Sequence, residues 1–419
     1  MKKLLSFIIG LTYLLPVRVN QFDNTQTTGS SDLSPGMVDF YSNHLVDTAK
    51  STLVHGQFAQ KHPIPEHNGK VAKFRRYSKL AKALTPLTEG VTPSGNSLKQ
   101  TEISVIVEQY GDYIELSDRV QTEHLDDNLV EATELLGDQA GETLDTLTRE
   151  VLNAGTNVRY GNFKLARYLL VGGETDANDY IDEALVILAR RDMKNNKVRY
   201  VDGLKKYIAI IHTDMTHDLQ KDKEGWRDVA KYAKPEEIYN GEVGEYFGLR
   251  LIESEEAKKI VAEDLTEDNR ELTVVSGGGT TTITVSETLT SDDQTDIVGR
   301  SVLIQGVQYT VSAAAANTIT CSTEVTADAE DVVYPGEAGA KGRDVYTMVV
   351  IGKDSYGEIE ISGESLENIV KPLGSGGSSD PLNQRGTTGW KATHAAIRLA
   401  EENLLRLEVC TSFNTHIAN

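Results

Sequence analysis

With 419 residues, 39% of them apolar and 25% charged, the chain is long enough for about two to three domains and too apolar to be disordered throughout. Its 42 Lys and Arg against 63 Asp and Glu leave a net charge of −21, which repels nucleic acid over most of the surface and argues against a protein that reads DNA sequence. Cys321 and Cys410 lie far apart and outside any CxxC pair, which argues against a disulfide scaffold or a Cys-rich zinc site.

Lys2 and Lys3 precede a short apolar run, Leu4 to Leu15, with the outline of a signal peptide, yet Pro16-Val17-Arg18 follows in place of a small-x-small cleavage site. The run reads as an export leader, as an amphipathic arm, or as extra residues ahead of Met37. Residues Gln21 to Gly36 read as a flexible arm, and the spacing from Met37 to Phe58 predicts a short helix.

Lys70, Lys73, Arg75, Arg76, Lys79 and Lys82 follow with no acid among them. A turn-rich stretch from Pro86 to Ser97 separates this basic run from the β-type segment Glu102 to Leu116, so a long hairpin is expected. Such a hairpin has little core of its own and needs a partner surface. Its cations suit a neighbour's acidic face; Phe74 and Tyr77 among them leave contact with phosphate as the other reading.

Leu129, Ala132, Leu136, Ala140, Leu144, Leu147 and Val151 recur at intervals of three and four, which predicts a helix from Asp126 to Asn153, roughly 40 Å long. Its other face carries Glu131, Glu134, Asp138, Glu142 and Asp145, read as a solvated stripe. A further helix through Arg191 would be capped by Asp176 or Asn178. A buried strand is expected at Lys206 to Ile211, then a helix capped by Asp214, and strands at Leu249–Ile252 and Tyr346–Ile351.

Between these last strands, Ala257 to Arg343 holds Gly277-Gly-Gly279, a Thr run and short strands at Ile283–Val285, Val302–Ile304, Val307–Val311 and Thr318–Cys321, which read as a small barrel or sandwich. Gly374 to Ser379 reads as a connector, and Ala392–Leu399 with Leu404–Val409 as terminal strands.

The sequence contains no GxxxxGK[ST], GxGxxG, HExxH or GxSxG. His212, Asp214 and His217 lack the spacing of a single metal-binding helix face. No catalytic, cofactor-binding or metal-binding residue is assigned, and the chain is read as a non-enzyme.

Several long blocks in order resemble the phage N4-type major capsid protein family: Glu108 to Asp118 (EQYGDYIELSD), Leu136 to Thr156, Ile238 to Gly244, Asp380-Pro381-Leu382-Asn383-Gln384-Arg385, and Gly389-Trp390-Lys391. Order and spacing hold from about Val71 to Val409, apart from the leader and the β segment. The resemblance implies an α+β, HK97-type capsid fold. It implies residues 1–69 as leader and arm, 70–118 as an extended loop lying across a neighbouring subunit, and 119–174 with 374–419 as a peripheral domain built on the spine helix. It further implies 175–256 with 344–373 as an axial domain, interrupted by an all-β insert at 257–343. The implied partners are copies of the chain in pentamers and hexamers, portal or decoration proteins, and packaged DNA by weak non-specific contact, with no membrane and no cofactor. The implied place is the virion capsid, assembled in the host cytoplasm. An exported surface-layer or adhesion protein is the alternative, resting on the leader and the Thr-rich β segment.

Overall fold

The computed structural model describes residues 53–65, 67, 69–87, 89–92, 95–119, 128–173, 178–201, 206–221, 242–361, 366–371, 382 and 384–419. The leader, the arm, most of the helix expected before Phe58, the helix start at Asp126, Asp176, the block from Ile238, the Gly374 connector, and Asp380, Pro381 and Asn383 lie outside them. The described end of that first helix, Leu53 to Phe58, is instead a pair of tight turns, with Gln57 N–H donating to Val54 O and Ala59 N–H to Gly56 O.

Helix α1, Asn128–Asn153, follows the predicted stripe. Leu136, Ala140 and Leu144 are buried against Trp390 and Ala392 of the strand Arg385–Arg398. Leu129, Leu147 and Val151, expected on the same face, are only half-buried, while Thr133, Thr148 and Leu152 are buried in addition. The strand Arg385–Arg398 organises one five-stranded sheet: it pairs antiparallel with Glu108–Ser117, with Glu367–Lys371 and with Tyr356–Ile359, and the last pairs in parallel with Gln60–Lys61. The segment Glu108–Ser117, expected as part of the hairpin, therefore belongs to this sheet. Only Val71–Tyr77 and Gln100–Ile106 pair as a two-stranded ribbon.

A seven-stranded sheet forms the second centre. Its strands Tyr207–Ile211 and Val345–Ile351 are buried at every position and core the sheet. Such runs are apolar throughout because both faces are covered. Helices α2 (Glu183–Asn195) and α3 (Thr213–Lys221) bury Leu185, Val186, Ala189, Met193, Met215 and Leu219 in the same core. Two caps differ from expectation. Asp182 caps α2, accepting from Leu185 N–H at 2.9 Å, since the apolar face begins only at Leu185. At α3 the His212 ring nitrogen accepts from Asp214 N–H at 3.1 Å, so Asp214 is a first-turn acid and not the cap.

The chain crosses between the sheets more often than the sequence suggested. Leu404–Val409 pairs with Val345–Ile351, and Val158–Tyr160 pairs with Leu404–Val409, so both lie in the seven-stranded sheet, where Leu404 shares a buried cluster with Leu152 of α1. Conversely, Tyr356–Ile359 and Glu367–Lys371 lie in the five-stranded sheet. Leu404–Val409 is buried at all six positions, and only a central slot of a covered sheet accommodates that.

Six strands close into a barrel, in the order Leu272–Ser276, Thr280–Val285, Thr318–Val325, Val307–Ala315, Ser301–Ile304, Val332–Pro335. Alternate residues such as Ile283 and Val285, or Ile319 and Cys321, fill its interior. Gln305 and Gly306 take φ of 49° and 78°, the two positive values that a two-residue hairpin turn requires. Residues 263–339 carry 14 Asp or Glu and two Arg, so this segment holds −12 of the chain's −21. Both arginines serve its root. Arg300 holds Glu337 and the carbonyls of Glu263 and Asp264, and Arg270 joins Asp264 and Ala262 O to Gly342 O.

Candidate assembly surfaces

The ribbon alternates. Ala72 and Phe74 face inward and pack with Ile359, Ala395 and Leu399, while Lys73, Arg75 and Tyr77 face out. Beyond Tyr77 its described residues form no regular structure, and Leu80, Leu84, Leu87, Val91 and Leu98 are 58–82% exposed. Five large apolar side chains displayed so openly mark a surface that is covered in use.

The six cations expected to meet a neighbour divide. Lys70 and Lys82 are exposed. Lys73 pairs with Glu102 across the ribbon at 2.6 Å, and Arg76 pairs with Glu402 of the same chain's body. Lys79 Nζ donates to Asn196 O at 3.5 Å. The base of the ribbon thus rests on its own globule.

Between the two lies a cleft of about 720 Å³ that sequence reading missed. Lys73, Arg75, Arg76 and Lys79 line it from the ribbon, Lys197 and Arg199 from the segment after α2, and Lys353 from a third loop; among the described residues Asp354 and Glu402 are the acids on its wall. The basic run gave the ribbon's four away, but the remaining cations lie more than 100 residues further along, and nothing in their local sequence shows that they converge.

Helix α1 presents its acids in two environments. Glu131, Glu134 and Glu142 are exposed and Asp138 is half-buried. Asp145, assigned by its spacing to the same solvated stripe, is fully buried. The tight turns from Leu53 cover it: its carboxylate accepts from Val54 N–H at 2.9 Å and His55 N–H at 2.7 Å, and its second oxygen lies 2.6 Å from His55 Nδ1. Tyr356 Oη donates to His55 O. Beside this pair, His394 Nε2 meets Thr148 Oγ1 at 3.1 Å, and its Nδ1 lies 3.6 Å from Glu358. Burial pushes the Glu358 carboxyl up to about 7, against the pull of Lys61, and pushes the His394 imidazole down to about 4.

The block around Gly389 builds the five-stranded sheet. Trp390 is buried and its Nε1–H donates to Gln139 of α1 at 3.0 Å; Lys391 pairs with Glu367 and Arg385 with Glu115; Gln384 O accepts from Asp118 N–H. Gly389 has no room for a side chain, because a Cβ there would sit 2.6 Å from that of Tyr113.

Among the described residues no group of three or more His, Cys, Asp or Glu is arranged to hold a metal, and no helix is long and apolar enough to cross a membrane. Cys321 and Cys410 are buried, free thiols, and burial pushes Cys410 up to about 12, far from a reactive thiolate.

No protein-family model and no curated protein sequence matches the chain. Solved structures do. The capsid of Ralstonia phage GP4 superposes with a TM-score of 0.55 at 11% identity, covering 86% of this chain and 90% of that one. The chain has the fold of phage capsid proteins. The cyanophage Pam1 capsid gives a TM-score of 0.52 at 12% identity, over 83% of this chain and 87% of its own. In both, more than four fifths of each chain is covered, so the likeness is one of overall fold.

Proposed function

We infer that the chain is a major capsid protein, a structural subunit whose copies assemble into the shell that encloses a phage genome, and not an enzyme. The observation that carries this reading is the ribbon. It extends from a capsid fold and displays five large apolar side chains that the described residues leave uncovered. A ribbon marginal alone becomes stable on a neighbour's surface, and head-to-tail contacts that close make rings. The finer assignments belong to the same reading: an N4-type capsid protein, pentamers and hexamers around the symmetry axes, contact with portal or decoration proteins, assembly in the host cytoplasm, and an acidic wall that keeps DNA mobile by repulsion. The ribbon cations and the α1 packing residues are proposed as shell-building positions, and the barrel as a lobe displayed outward.

The test is to express the chain without residues 1–36 and to examine the product by sedimentation and electron microscopy. Closed particles are the expected result. A persistent monomer that assembles with no phage partner sinks the reading.

A further inference from the structure

The basic cleft and the acidic stripe of α1 are complementary in charge and in length, and among the described residues neither is fully paired. Lys197 and Arg199 line the cleft without a carboxylate partner among the described residues, and Arg75 shares its cross-strand neighbour Glu102 with Lys73; Glu131, Glu134, Asp138 and Glu142 stand on α1 without a cation among the described residues. The four acids fall at intervals of three and four, which puts them on one face of the helix. From Glu131 to Glu142 they span about 16 Å of helix, and Arg75 to Lys79 span about 13 Å of extended chain. Each surface also holds one displayed apolar side chain: Leu135 beside the acids is 63% exposed, and Tyr77 at the cleft 59%.

A chain cannot fill its own cleft with its own ridge. Val151 and Ala154, at the far end of α1, share a surface hollow with Arg76. The ridge begins nine residues back from Val151, about 13 Å along a rigid rod, and runs away from the cleft.

We propose that the cleft at the ribbon's root receives the acidic ridge of α1 from a second copy of the chain, as a head-to-tail contact repeated around a ring. The proposal rests on the shell reading and names the surface that the ribbon grips. Phosphate is the weaker occupant, since a polyanion must reach the cleft through the field of a protein carrying −21, whereas every copy brings a ridge of its own. A contact of this kind steers encounter and fixes register, and is screened by salt.

The experiment uses the full chain and three variants: Arg75→Glu with Lys197→Glu, Glu134→Lys with Glu142→Lys, and all four changes together. Sedimentation at about 50 mM salt reads assembly. Circular dichroism and thermal melting of the unassembled subunit read folding separately, so a variant that merely misfolds is recognised. Each reversal alone is expected to cut assembly by about tenfold or more with the subunit still folded, and the four-fold variant, whose net charge equals the original, to restore it. Reversals that assemble as well as the parent chain, or a four-fold variant that stays folded and does not recover, overturn the contact and leave the shell reading intact. A parent chain that never assembles fails the shell reading instead. Binding of a labelled 20-nucleotide DNA is measured alongside; a cleft reversal that abolishes DNA binding and spares assembly overturns the proposal and assigns the cleft to phosphate.

Discussion

Asp145 joins α1 to the turns at Val54 and His55, because its carboxylate accepts both backbone N–H groups and meets the His55 ring. Removing it strands donors in a site closed to water, each costing about 1–3 kcal/mol. Asp145→Ala is therefore expected to lower subunit stability by roughly 3 kcal/mol or more in urea denaturation; a loss below about 1 kcal/mol would mean the turns hold without it. The neighbouring pair gives a pH signature. Glu358 binds its proton up to about pH 7 when folded, against 4.5 when unfolded. Between those values the folded state holds a proton that the unfolded chain has lost, so stability declines as pH rises, by roughly 3 kcal/mol in all. His394 works oppositely. Its folded value near 4 lies below the ordinary 6.5, so the unfolded chain takes the proton first and stability declines as pH falls from 6.5 to 4. Glu358→Gln should gain on the parent chain as pH rises from 5 to 7.5, and His394→Gln as pH falls from 6.5 to 4.5. Denaturation midpoints at those pH values that move in parallel for parent and variants would refute the assignment.

The ribbon is rooted by one aromatic side chain. Phe74 is buried against Ile359, Ala395 and Leu399, and Gly357 lets the ring lie on the backbone, since a Cβ there would meet Phe74 Cζ at 2.8 Å. Phe74→Ala should cost about 3 kcal/mol locally and free the ribbon. Hydrogen exchange of the Val71–Tyr77 amides should then rise far above that of Tyr207–Ile211, and equal protection in both would show that the ribbon is held elsewhere. At this scale much was legible in the sequence. The period of α1 and the buried run at Tyr346–Ile351 are local signals, and the structure returns both. The partner of Glu108–Ser117 was not legible, because antiparallel pairing with Arg385–His394 joins segments some 270 residues apart, and an exposed strand reads the same in a ribbon as at the edge of a sheet. The cap of α2 falls at Asp182, not Asp176 or Asn178, for a nearer reason: the apolar Ile181 just ahead of it fits helical spacing although it precedes the helix. Burial of Asp145 was invisible because the stripe that includes it is solvated everywhere else.

The barrel poses a question for the whole molecule, since removing residues 263–339 would take the chain from −21 to −9. Its core is separate: the residues that fill it are drawn from Leu265 to Val333, and none is shared with the cores of the two sheets. Among the described residues its attachment runs through two adjacent linkers, clamped by Arg270 and Arg300, by Arg167 donating to Glu337 O and by Ala340 N–H donating to Leu170 O. A lobe with its own core and a two-linker root can be deleted without opening the body, provided the ends are rejoined by a short Gly/Ser link. Assembly of the deletion variant is therefore expected to match that of the parent chain, and a folded but unassembled product would place the barrel between subunits. Charge decides which way it faces. Over distances beyond about 10 Å at 0.1 M salt, charges inside a closed particle do not govern its migration. Outward lobes would therefore set the particle's surface charge, and the deletion should slow its movement toward the anode in native agarose in proportion to the acids removed. Intact deletion particles that migrate like the parent would turn the lobe inward, where the same −12 per subunit would instead repel the packaged genome.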